Sequence, residues 1–267
     1  MTSFVAHRNG RTATAEDVTP LALAGYAHFT ALQVRGGRAR GLDLHLACLR
    51  RASVELFGRA LPDAVVRARL RTAVEDGPAD ASVTATVFSP EGEFTAADAE
   101  AGPELLVRTG PASAGPAGPL ALLPVRHEHV LPHIKHVGEV AKTYYLRRAV
   151  AEGFDDAVFA DRHGRLSEAT IWYLAFWDGD TVVWPEADVL AGTTMGIVRR
   201  QLDRLGVSQR TAAVTPADVP ALAGAAVLNC WTPGVAVNRI GSVALPEAPR
   251  FLELLHEAYA AEPLTAL

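Results

Sequence analysis

A lysine amine attacks carbonyl carbon once it is partly desolvated, and a carboxylate beside a heterocyclic ring nitrogen keeps a proton on it. Lys135 and Glu168 offer that pair of groups, although most lysines and glutamates in a globular chain are simply solvated. Gly192-Thr193-Thr194 stands where a helix is expected to begin. Free backbone N–H groups, the positive helix end and a threonine hydroxyl suit an anion there, and an ordinary helix cap by Thr194 is the competing reading. His127, His129, His133 and His136 cluster, and an H-x-H pair on a strand suits a metal. No cysteine or carboxylate set completes a site, so no metal is expected. Cys48 lies beside an apolar helix face and reads as a small buried residue rather than a reactive thiol.

The elements that must position these groups fall into two halves. Residues 26–35 and 38–42 read as strands joined by Gly36-Gly37. A helix follows, because Leu42, His45, Leu46, Leu49, Ser53 and Leu56 recur at three- and four-residue steps. Pro62-Asp63 announces a second helix with Val66, Leu70, Ala73 and Val74 on one face, stopping at Gly77-Pro78. Ser82–Phe88 and Glu104–Arg108 read as strands, which makes this half a small α/β unit. Residues 110–119 are rich in glycine and proline and read as an exposed linker. The expected domains are therefore 1–119 and 120–267. In the second, a helix is predicted from Gly138 to Glu152, with Val137, Val140, Ala141, Tyr144 and Tyr145 toward the core and Lys142 toward solvent. Strands are predicted at Asp156–Ala160, Ile171–Trp177 and Thr181–Trp184, the last two joined by Asp178-Gly179-Asp180. Further helices are expected near Thr194, near Thr215-Pro216, and over about Glu247 to Ala261.

Composition narrows the class. The chain has 267 residues, 49% hydrophobic and 21% charged, with a net charge of −5. That balance offers no footprint for nucleic acid or an anionic membrane. The longest weakly apolar run, Val219 to Trp231, holds Pro220 and Asn229 and is too short to span a bilayer. The opening MTSFVAHRNGRTATAED lacks the apolar stretch of a secretory signal, and two cysteines, Cys48 and Cys230, suit a reducing cytosol. A cytoplasmic, soluble protein is expected.

Three blocks in the second half are IKHVGEVAKTYYLRRAVAEGFDDAVFADRHGRLSEATIW, FWDGDTVVWPEADVLAG and TTMGIVRR. They resemble the class IV, fold-type IV pyridoxal-phosphate enzymes, which include branched-chain and D-amino-acid transaminases and aminodeoxychorismate lyase. HFTALQVRGGRARGLDLHLACLRRASVELFG is similar to the family's opening hairpin and "HLxRL" helix. The resemblance implies a two-domain α/β fold with pyridoxal 5′-phosphate in the cleft between domains, a homodimer, and a small amino-acid or amino-carboxylate substrate. It also implies that Lys135 carries the cofactor and moves protons at the substrate's α carbon, while Glu168 keeps the ring nitrogen protonated. Gly192, Thr193 and Thr194 are implied to bind the phosphate, with Thr232 in LNCWTPG as a second phosphate contact. Lys142 does not keep the family's spacing to GFDDAVF.

The sequence departs from the family at three places. Cys48 replaces the arginine of "HLxRL", removing a charge-assisted phosphate contact worth about 1.5–3 kcal/mol. Thr84 stands in the strand where many relatives carry a basic residue for the substrate carboxylate. Tyr173 replaces an asparagine five residues after the glutamate, where a phenol either meets the cofactor's ring oxygen or fills space. An amino-acid aminotransferase is the first reading. A lyase like the aminodeoxychorismate enzyme, suggested by Phe29-Thr30, is the second, and a cofactor-free relative that binds a ligand or partner is the third.

Overall fold

The computed structural model describes residues 4–22, 24–94 and 102–267. The chain divides into two compact units. One comprises Met1–Ser113, Ile134–Gly138 and Pro263–Leu267, and the other Ala114–His133 and Glu139–Glu262.

In the first unit the order is β1 (Val5–Arg8), β2 (Arg11–Thr12), α1 (Ala15–Ala22), β3 (Ala27–Arg35), β4 (Arg38–Arg40), α2 (Leu42–Phe57), α3 (Asp63–Glu75), β5 (Ala81–Phe88) and β6 (Glu104–Pro111), with β16 (Leu264–Ala266) joining from the far end of the chain. Among the described residues they form a seven-stranded sheet in the order β16-β4-β3-β5-β6-β1-β2. The β3–β4 turn uses Gly36 and Gly37, both at positive φ (54° and 72°), which side-chain-bearing residues resist. Alternation along β3, β5 and β6 puts Leu32, Val34, Val83, Ala85, Leu105 and Val107 on one face. There they meet Leu42, Leu46 and Leu49 of α2 and Val66, Leu70 and Val74 of α3, the faces that the spacing predicts.

That core also buries two histidines. His28 Nε2 lies 2.9 Å from Ser53 Oγ, and His45 Nδ1 lies 2.7 Å from Thr30 Oγ1. Burial pushes both rings down to about 4 from an ordinary 6.5. The folded state thus keeps both neutral between those values, where the unfolded chain takes up protons. Stability is therefore present in full above about pH 6.5 and is lost as pH falls toward 4, by on the order of 3 kcal/mol per ring. Denaturant midpoints at pH 7 and 4.5 check this. His45→Gln is expected to show a smaller drop than the parent chain.

The second unit contains β7 (Leu120–Arg126), α4 (Val140–Ala151), β8 (Asp156–Ala160), β9 (Leu166–Ala169), β10 (Tyr173–Trp177), β11 (Val182–Pro185), α5 (Thr193–Arg204), β12 (Gln209–Ala212), β13 (Gly224–Leu228), β14 (Val235–Ile240), β15 (Val243–Ala244) and α6 (Pro249–Ala261). Six strands close on themselves, β10-β13-β14-β7-β8-β9, the ring completed by the pairing of Tyr173 with Glu168. Leu122, Val158, Leu174, Phe176, Val227 and Val237 cluster on one face of this ring. On the other face, α5 and α6 cover Tyr173, Ala175, Ala226 and Leu228 through Met195, Val198, Phe251 and Leu255.

Two expectations fail here. The predicted inner face of α4 is largely outside: Val140 is 85% exposed and Tyr144 62%, and the helix docks through Ala149 and Tyr145 against Phe159. Apolar spacing marks a stripe without saying what covers it. No helix starts at Thr215-Pro216. The Thr215 backbone N–H and hydroxyl donate to Asp218 at 2.8 and 2.7 Å, and only a single 3₁₀ turn, Val219–Ala221, follows. Among the described residues no helix is long and apolar enough to cross a membrane.

Candidate functional site

Glu168 and Tyr173 face each other across the β9–β10 pair, so their side chains leave the sheet on the same side. Glu168 is 4% exposed and Tyr173 9%. The tight connection between them is pinned from two directions. Ala169 N–H donates to the Trp172 carbonyl at 2.9 Å, closing the turn. Asp156, buried at the start of β8, accepts the Thr170 hydroxyl at 2.7 Å. Burial raises the pKa of that carboxyl, against hydrogen bonds from Thr170, Ala157 and Trp172.

Tyr173 reaches the start of α5. A Cβ built on Gly192 would lie 1.8 Å from Tyr173 Cζ and 2.1 Å from its hydroxyl oxygen, so no side chain fits at 192 unless the phenol moves. Gly192 is extended, accepts the first helical bond from Gly196 N–H at 2.9 Å, and supplies no side-chain cap. The helix proper begins at Thr193, so Thr194 is its second residue rather than its cap, and it is buried. Tyr173 thus pairs with Glu168 across the strands and packs its phenol against Gly192 at the start of α5. Thr232 lies in a loop tied to the same turn: Asn229 Nδ2 donates to the Ile171 carbonyl at 3.4 Å, and Trp172 packs edge-on against Trp231 at 6.0 Å. The Thr232 hydroxyl is buried and lies 3.4 Å from the Gly234 carbonyl of its own loop.

Behind Glu168 stands a group that the spacing of residues does not reveal. His129 Nε2 lies 3.2 Å from Glu168 Oε1, and its Nδ1 lies 3.7 Å from Glu139 Oε1. Lys142 Nζ lies 2.5 Å from Glu139 Oε2 with its side chain 17% exposed, so Lys142 is paired rather than simply solvated. The signal in the sequence was the H-x-H pair. Its partners sit far along the chain, on β9 and at the head of α4. Among the described residues no group of three or more His, Cys, Asp or Glu is arranged to hold a metal.

Lys135 belongs to the first unit. Its segment runs beside the start of β3: Phe29 N–H donates to the Lys135 carbonyl at 2.8 Å, Val137 N–H donates to the Ala27 carbonyl at 2.9 Å, and His28 pairs with His136. Ile134, 2% exposed, anchors it. The Lys135 ammonium sits over the Phe29 ring, 5.1 Å from its centroid, so the amine is partly removed from water. Cys48 on α2 is half-buried with Arg51 Nη2 3.8 Å from its sulfur. Burial pushes its thiol up, and the nearby positive charges of Arg51 and Lys135 oppose that shift. Thr84 sits between Ala31 and Arg108 on the adjacent strands.

The family model for amino-transferase class IV matches residues 27–240. The chain belongs to the class IV aminotransferase family. Members are pyridoxal-phosphate-dependent transferases and lyases, and this chain is an enzyme of that kind. A search of curated proteins finds no match. Among solved structures, a branched-chain aminotransferase from Thermoproteus uzoniensis crystallised with norvaline is similar at TM-score 0.82 and 16% identity, over 99% of each chain. A hypothetical aminotransferase from Mycobacterium tuberculosis in its PLP-bound form reaches 0.79 at 19% identity, over 97% of this chain and 98% of that one. A protein assigned as a 4-amino-4-deoxychorismate lyase from Legionella pneumophila reaches 0.78 at 17% identity, over 91% and 92%. At these identities the likeness establishes the fold, the two-domain α/β architecture of fold-type IV enzymes, and no more.

Proposed function

We propose that this class IV family member is a pyridoxal-phosphate-dependent amino-acid aminotransferase. The observation that carries the reading is the buried Glu168, paired across the strands with Tyr173, whose phenol packs on Gly192 at the start of α5. The donor set fits the cofactor: a buried carboxylate suits a protonated ring nitrogen, and a helix N-terminus with two threonines suits a phosphate. When bound, pyridoxal phosphate supplies an electron sink for charge developing at the substrate's α carbon. Lys135 holds the cofactor through its amine and, once released, moves the proton at that carbon. Glu168 holds the proton at the ring nitrogen. Gly192, Thr193 and Thr194 would bind the phosphate, with Thr232 as a further contact, and Tyr173, packed against Gly192, would offer its phenol to the cofactor's ring oxygen. The substrate is a small amino acid or amino-carboxylate, the working form is a homodimer, and the compartment is the cytoplasm.

A lyase acting on an amino-carboxylate is the second reading, supported by Phe29-Thr30 at the start of the opening strand. Substrate labelled with ¹⁵N at its amino group separates the two. Label recovered on a 2-oxo-acid acceptor supports the aminotransferase. A released 2-oxo acid with no transfer to an acceptor supports the lyase. A protein that takes up no cofactor, judged by the absence of any visible absorbance band after dialysis against it, overturns both.

Cys48 supplies a quantitative test of the phosphate assignment. Neutral donors at a helix start are individually weaker than an arginine fork, so cofactor affinity is expected to be modest. Cys48→Arg is expected to tighten it about tenfold, which corresponds to about 1.4 kcal/mol. Equilibrium dialysis measures the affinity, and a melting curve reports any overpacking by the longer side chain. Unchanged affinity in a stably folded variant means that position 48 does not face the phosphate.

A further inference from the structure

His129 stands between two buried carboxylates. Glu168 lies 3.2 Å from one ring nitrogen and Glu139 lies 3.7 Å from the other, and Lys142 closes the row at 2.5 Å from Glu139. The side chains of His129 and Glu168 are each 5% exposed and that of Glu139 is 12% exposed. The ring is boxed in by His127, edge-on at 4.8 Å, and by Phe159 at 5.0 Å, with Tyr145 of α4 packing on those same two rings.

Charge and hydrogen-bond chemistry then limit what this ring can be. A neutral imidazole has one N–H and one lone pair, so it would turn its lone pair on one of the two carboxylates. The imidazolium presents an N–H toward each carboxylate, and the 3.2 Å approach to Glu168 and the 3.7 Å approach to Glu139 are ion-pair contacts rather than aligned hydrogen bonds. With His129 charged, the row Glu168, His129, Glu139, Lys142 alternates in sign and sums to zero, so its burial leaves no bare charge. Burial pushes His127 down, with Glu139 and Glu128 opposing and Lys142 assisting.

We propose that His129 is a positioning residue for Glu168: as an imidazolium clamped by Glu139, it fixes one oxygen of Glu168 and keeps that carboxylate ionised for the ring nitrogen of the cofactor. Glu139 and Lys142 hold the clamp from behind. The proposal rests on the role given to Glu168 above, so its test begins where no cofactor is needed.

In the cofactor-free protein, the His129 ring signals are followed by NMR against pH, assigned by their loss in His129→Gln. The ring is expected to carry a proton on both nitrogens at pH 7. Glu168→Gln and Glu139→Gln are each expected to lower the ring's titration midpoint. A ring that is neutral at pH 7, or a midpoint that Glu168→Gln leaves in place, overturns the proposal. These two carboxylate variants keep the test decisive even where His129→Gln folds poorly. In the loaded enzyme, His129→Gln is expected to lower kcat tenfold or more with little change in KM, and to move the pH profile of the cofactor's visible band. A lowered melting temperature with an unmoved profile overturns the positioning role. Coupling between His129 and Glu168 alongside normal turnover in Glu168→Gln overturns the function assigned to Glu168, and this clamp's purpose with it. Absent coupling alongside collapsed turnover in Glu168→Gln overturns only the clamp.

Discussion

Glu168→Gln is expected to leave the fold intact and to slow turnover by roughly a hundred- to a thousandfold, the usual effect of removing one preorganised electrostatic partner. The substitution is nearly isosteric, and Glu168 Cα pairing with Tyr173 is a backbone contact that an amide preserves. What changes is charge. A carboxylate holds a proton on the ring nitrogen, and an amide does not. Removing the charge also strands His129, whose Nε2 lies 3.2 Å from the lost oxygen. A modest fall in melting temperature, corresponding to about 1–3 kcal/mol, is therefore expected beside the large kinetic one. Single-turnover loss of the substrate's α proton, followed by deuterium exchange, is the direct readout. An unchanged exchange rate removes Glu168 from the reaction.

Lys135→Ala is expected to have the largest effect of any single change. It deletes both the amine that holds the cofactor and the base that moves the α proton, and general base catalysis alone accounts for roughly a hundred- to ten-thousandfold. Stability should barely respond. The side chain is only partly buried, and its segment is held by backbone bonds between Phe29 and Lys135 and between Val137 and Ala27. The chain has one other lysine, Lys142, which is engaged by Glu139 at 2.5 Å. That engagement removes it as a ready substitute amine. Methylamine added to Lys135→Ala is expected to restore part of the exchange rate without restoring attachment.

The first unit was legible because its signals are local. Gly36-Gly37 at positive φ, the three- and four-residue spacing from Leu42 to Leu56, and Pro62 before α3 each state a boundary within a few residues. The second unit was less legible where its strands are buried throughout. β13 reads GAAVL and is buried at every position, so it carries no alternation to distinguish a strand from a helix segment. β16 joins β4 from the far end of the chain, a pairing no window of sequence reports. The stripe Val137, Val140 and Tyr144 misled because exposure depends on what packs against a helix, which spacing does not encode. The candidate site divides in the same way. Lys135, Glu168 and Gly192-Thr193-Thr194 are candidates that the resemblance of linear blocks supplies, whereas the approach of His129 to Glu168 and Glu139 forms only once β9, α4 and the segment after β7 are folded together.

The central claim is that Lys135 carries the cofactor, and reductive trapping tests it most directly. The protein is incubated with pyridoxal 5′-phosphate, reduced with borohydride, digested, and mapped by mass spectrometry. With two lysines in the chain, the possible side-chain sites are few. The account predicts a phosphopyridoxyl adduct on the peptide containing Lys135, and its disappearance in Lys135→Ala. An adduct on Lys142, or equal labelling in Lys135→Ala, would contradict it.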